Sequence, residues 1–122
     1  MPTCEVSFGR FAPTIPVASI ERALAFYVDV LGMTKTFQNG NPVGFVILKR
    51  DAGELHLTLS KYHHGSERNV AHLLVDDATK LYDHLVGAGV KIVKGLRDAD
   101  HGLRQFVFAD PDGNRIDVGQ RI

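Results

Sequence analysis

The chain has 122 residues, 44% of them hydrophobic and 23% charged, with Lys plus Arg and Asp plus Glu both at 14. This predicts one globular domain with one continuous core and leaves no room for a second catalytic domain. Balanced charge without a run of like sign argues against nucleic-acid or anionic-membrane partners. The first twenty residues, broken by Pro13 and Pro16, read neither as a secretory signal nor as a membrane span, so a cytoplasmic address is expected. Cys4 is the only cysteine, which excludes an internal disulfide.

Phe11 to Val17 reads as a short, irregular strand interrupted by proline. Ser19 can cap a helix in which Ile20, Leu24, Tyr27, Val28 and Leu31 form the core stripe before Gly32 ends it. Met33 to Gln38 is a strand, Asn39 to Pro42 a turn, and Val43 to Lys49 a second strand. After Asp51-Ala52-Gly53, Glu54 to Ser60 alternates: Leu55, Leu57 and Leu59 on one face, Glu54, His56, Thr58 and Ser60 on the other. That polar face marks a functional surface.

Lys61 to Asn69, with Gly65 and the adjacent His63 and His64, is a polar linker. The order then restarts: Val70 to Val75 is a strand, and Asp77 caps a helix carrying Leu81, Tyr82, Leu85 and Ala88. Val90 to Val93, Leu103 to Ala109 and Arg115 to Gly119 are strands, with a loop over 95–102 and a turn at Asp110 to Gly113. Val17 to Gly32 repeats as Val75 to Gly89, and Phe45-Val46 to Gly53 repeats as Phe106-Val107 to Gly113. The whole chain is thus a single domain of two β-α-β-β-β modules, about 8–60 and 70–122, joined by linker 61–69. His56 and Asp117 become near-equivalent positions facing a shared cleft.

The string from Ala23 through Phe26-Tyr27-Val28-Asp29-Val30-Leu31-Gly32, with Asp110-Pro111-Asp112-Gly113-Asn114 far downstream, resembles the vicinal oxygen chelate superfamily of glyoxalases, bleomycin resistance proteins and ring-cleaving dioxygenases. Gly53 to Leu57, His101 to Phe106 and Val118-Gly119-Gln120 look most like the bleomycin resistance branch. The resemblance implies an α+β fold in which the modules form a curled mixed sheet around a cavity. It implies metal-ligand positions at Ala12, His56, Val70 and Asp117, of which Ala12 and Val70 cannot ligate. A displaced set of His56, His72 and Asp117 is the alternative. Phe37 matches an aromatic that lines the groove of binding members, His101 stands where relatives place a large aromatic, and Thr36 replaces a carboxylate that meets a cationic guest.

The expectation is therefore a non-catalytic, cofactor-free homodimer that sequesters a drug or metabolite, with a bleomycin-type glycopeptide as one candidate. Phe37, His56, Tyr62, His101 and Asp117 would line the cleft, the aromatics by stacking and Asp117 by pairing with a cation. Such sequestration would confer antibiotic resistance, and Pro13 and Pro16 suit a first strand exchanged between chains. The rival expectation is a metal-dependent glyoxalase- or dioxygenase-type enzyme with a divalent ion on His56, His72 and Asp117.

Overall fold

The computed structural model describes residues 5–122, so Cys4 lies outside the described residues. Module 1 runs β1 (Thr14–Val17), α1 (Ile20–Leu24), a π-helical segment (Ala25–Val30), β2 (Thr34–Gly40), β3 (Val43–Arg50) and β4 (Gly53–Leu59). Module 2 runs β5 (Asn69–Leu74), α2 (Ala78–Gly87), β6 (Lys91–Ala99), β7 (Leu103–Ala109) and β8 (Arg115–Arg121). Both helices start at the anticipated caps: Ser19 accepts from the Arg22 amide, and Asp77 from the Lys80 amide. No helix is long and apolar enough to cross a membrane.

The sheets share one topology, β1-β4-β3-β2 and β5-β8-β7-β6, with the first strand of each module parallel to the last and the other pairs antiparallel. The fold is therefore α+β with two β-α-β-β-β modules. It departs from expectation in one respect: the sheets are not joined into one curled sheet around a cavity. Instead Val46, Leu48, Leu55 and Leu57 from one sheet and Phe106, Phe108, Ile116 and Val118 from the other enter a single core with the helices. Burying each such side chain is worth about 1.5–3 kcal/mol, so the two apolar faces turn toward the same interior. The polar face of each sheet is left outward.

Three local readings change. The first helix is not a uniform α-helix over 20–31 but widens into a π-helix at Ala25. Leu31 N donates to Phe26 O, and the widened turn lets the consecutive Phe26 and Tyr27 both enter the core, where ideal α-periodicity selected only Tyr27. β6 extends to Ala99 through two register shifts, converting most of the expected 95–102 loop into strand. The module alignment also slips by one residue. Ile47 pairs with His56 but Val107 with Asp117, so Phe45 faces outward while Phe106 is buried in the core. Val107 and Asp117 lie one residue further apart in sequence than Ile47 and His56, and one residue of slip reverses every face of a strand.

Candidate functional site

The two motifs that carried the family resemblance meet at the seam between modules. Tyr27 Oη donates to Asp110 Oδ2 at 2.7 Å, across 83 residues of sequence, and both groups are buried. Asp110 Oδ1 also accepts from the Asp112 and Asn114 amides, each at 2.9 Å, and Oδ2 from Asn114 Nδ2 at 3.0 Å. Asp112 Oδ1 takes the Ala18 amide and the Arg22 guanidinium, tying the start of α1 to the turn. Asn114 Nδ2 donates to Pro16 O at 2.9 Å. With both amide protons committed, its oxygen accepts, so His63 Nε2 is the donor at 2.7 Å. Gly113 has φ +82°, and a Cβ there would meet Gly65 Cα at 3.2 Å, which allows the linker to lie directly on the turn. Burial first, then the charge and hydrogen bond of Asp110 and the charge of Asp112, push the Tyr27 hydroxyl far above the phenol range. It therefore stays a proton donor. These residues hold the modules together: Asp110 and Asn114 spend their hydrogen bonds on one another, Tyr27, Pro16 and His63, while Asp112 Oδ2 is buried without a partner.

The outward face of module 1 carries different chemistry. Phe37 lies 6.3 Å from Phe45, and Phe45 lies 5.5 Å from the His56 ring, both edge to face. Alternation on β2, β3 and β4 aligns the three, because Phe37 pairs with Ile47 and Ile47 with His56. His56 Nε2 donates to Glu54 Oε2 at 2.7 Å, and Arg10 Nε donates to Glu54 Oε1 at 2.9 Å, with Lys49 Nζ at 3.6 Å. The hydrogen bond from His56 first, then that from Arg10, with the nearby charges adding, hold the Glu54 carboxyl down at about 2. Glu54 and Phe45 were missed as site residues; the alternation of β4 already grouped Glu54 with His56.

On module 2, His72 Nδ1 donates to Asp117 Oδ2 at 2.5 Å. The two are directly opposed on the parallel pair β5 and β8. Gly119 permits this approach, since a Cβ there would stand 3.0 Å from His72 Cε1. Beside Asp117 is a small pocket of about 80 Å³ lined by Asn69, Lys94, Arg97, Gln105 and Val107 among others. A larger open groove of about 780 Å³ runs along the seam past Phe26, Val30, Lys91, Pro111 and Arg115. Its size would suit a ligand. However, Asp110 on its wall is fully committed to the seam, and none of the anticipated site residues line it.

Phe37 and His56 thus share one outward face and His72 and Asp117 the other. Tyr62 is 91% exposed in the linker and His101 lies exposed in the β6–β7 turn, neither in contact with these clusters through a hydrogen bond or ring pair. Ala12 lies ahead of β1, which begins at Thr14, and Val70 lies on β5; the residue paired with His56 on β1 is Thr14, and the residue paired with Asp117 on β5 is His72. Even so, among the described residues no three His, Cys, Asp or Glu side chains are placed to hold a metal ion. The chain brings together two His–carboxylate pairs, Glu54 with His56 and His72 with Asp117, each one short of the three ligands a catalytic centre keeps.

The chain is 26% identical over 109 residues to the metallothiol transferase FosB of Lysinibacillus sphaericus, covering 83% of this chain and 74% of that protein. A superfamily member from Sphaerobacter thermophilus superposes with a TM-score of 0.76 at 29% identity, over 97% of this chain and 100% of the other. The bleomycin-binding protein of Streptomyces verticillus, solved with copper(II)-bleomycin, superposes at 0.78 with 21% identity, over 96% and 99%. The sequence model of the Glyoxalase/Bleomycin resistance protein/Dioxygenase superfamily matches residues 7–118, nearly the whole chain, and the protein belongs to that superfamily.

Proposed function

We propose that the protein is a small-molecule binder whose outward sheet faces, one from each of two chains, close over a drug or metabolite and sequester it. The observation that carries this reading is the outward aromatic ladder Phe37, Phe45 and His56, with Phe37 50% exposed on a sheet whose other face is core. An exposed aromatic row of this kind provides stacking area for a planar guest. His56 and His72 are each hydrogen-bonded to a carboxylate of their own module, which orients both rings. Val6, Phe8 and Phe11, exposed ahead of β1, are apolar groups that a partner chain would cover. β1 itself pairs with β4 of its own chain. A resistance role follows if the guest is an antibiotic, as it is for the bleomycin-binding neighbour.

A second reading is favoured by the cross-strand pair His72 and Asp117: completed by His56 of the partner subunit, it would hold a divalent ion in a metal-dependent enzyme. That reading also draws on the likeness to a metallothiol transferase. Metal analysis of protein purified without chelators, with calorimetric titration of bleomycin-type glycopeptides and analytical ultracentrifugation, separates the two. Metal-poor dimeric protein that binds at nanomolar to micromolar affinity, about −12 to −8 kcal/mol, supports the binder. Near-stoichiometric metal that is lost in His72→Ala supports the enzyme. A monomer at working concentration removes the shared cleft from both.

A further inference from the structure

The cavity on the outward face of module 2 gathers two cations, Lys94 and Arg97, whereas Arg10 and Lys49 on the aromatic face of module 1 both lie against Glu54. In a regular strand, Lys94 and Arg97, three residues apart, would project to opposite faces. β6 shifts register between Ile92 and Lys94 and again between Lys94 and Arg97, so that Lys94 aligns with Val107 and Arg97 with Gln105. Val107 and Gln105 lie on the outward face of β7 with Asp117 opposite Val107 on β8. The two irregularities thereby bring both cations to one pocket, as bulges beside functional sites do. Among the described residues neither cation forms an ion pair, whereas the neighbouring Asp98 and Arg104 are paired at 2.8 Å. The only carboxylate lining the pocket is Asp117, whose Oδ2 already receives the His72 proton. Gln105 and Asn69 add amide donors to the wall. The volume of about 80 Å³ corresponds to roughly two or three water molecules, which suits a single oxyanion.

We infer that this pocket is an anion subsite in which Lys94 and Arg97 receive a carboxylate- or phosphate-sized acid group of the guest. It rests on the reading that the outward faces take the guest, and it makes that guest an aromatic or apolar molecule bearing an acid. A cationic guest on Asp117 would meet Lys94 and Arg97 on the same wall.

The test is an amide NMR titration of the full chain with inorganic phosphate, acetate, phenyl phosphate and the neutral benzyl alcohol. Phosphate and acetate are expected to shift the amides of Lys94 to Arg97, Gln105 and Asp117, with affinity falling as salt rises. Their relative strength tells phosphate from carboxylate preference. Lys94→Gln and Arg97→Gln should each weaken phosphate about fivefold and the double variant should abolish it, with Arg104→Gln as the unaffected control. Unmoved amides with phosphate at tens of millimolar would overturn the subsite, as would a response that survives the double variant, the mark of an adventitious ion only. Phenyl phosphate binding no tighter than benzyl alcohol would overturn it while leaving the binder reading intact. The binder reading fails on a separate result: phosphate responds, but neither aromatic probe shifts Phe37, Phe45 or His56.

Discussion

The seam between the modules and the outward sheet faces are built from the same residue types, yet their polar groups are used in opposite ways. At the seam, Asp110 accepts four hydrogen bonds through its two oxygens, and Asn114 spends both amide protons and its oxygen on Asp110, Pro16 and His63. On the outward faces, Glu54 with His56 and His72 with Asp117 form pairs with remaining capacity open to solvent. A saturated buried network rigidifies and cannot recognise a guest, whereas an oriented but unsaturated pair can. The motif residues at the seam are therefore staples, and the groups free to meet a guest lie on the open faces.

That division predicts separable effects. Asp110→Ala, which orphans four donors in the interior, should cost about 3–4 kcal/mol in urea unfolding while leaving guest affinity per folded molecule unchanged. Tyr27→Phe removes one donor from the same oxygen, which keeps Asn114, and should cost about 1 kcal/mol by the same measurement. Phe37→Ala should reverse the pattern, weakening an aromatic guest about tenfold by calorimetry with a change in stability below about 0.5 kcal/mol. Loss of affinity in Asp110→Ala, or loss of stability without loss of affinity in Phe37→Ala, would dissolve the distinction.

The smallest effect concerns acid. The Glu54 carboxyl is held at about 2 in the fold against an ordinary 4.5, so its ionised form stabilises the native state. That contribution is complete above pH 4.5 and is lost as pH falls toward 2, since the unfolded chain takes up the proton first. Glu54→Gln should flatten the acid limb of stability across that window in thermal melts. An unchanged acid limb would mean that Arg10 and His56 do not hold Glu54 in solution.

Much was legible before any coordinates. The caps at Ser19 and Asp77, the alternation of β4 and the sixty-residue repeat are local patterns set by hydrogen-bonding and the two-residue period of a strand, and each reappears in the fold. Phe37 was singled out through the family resemblance and His56 through the alternation of β4, and the pairing of β2, β3 and β4 puts them on one face. Phe45 was missed because the span from Val107 to Asp117 is one residue longer than that from Ile47 to His56, which sequence alignment absorbed invisibly. Lys94 and Arg97 were missed because register shifts in β6 depend on its partner β7, not on β6 itself.

What the sequence determined alone is the family, the module order and the identity of the polar faces, since these follow from short-range periodicity and motif residues. Which way those faces point was a tertiary decision. The apolar faces of both sheets could be buried together only by turning His56 and Asp117 outward, because one chain has a single core to fill. That places His56 and Asp117 on the outward faces of two different sheets.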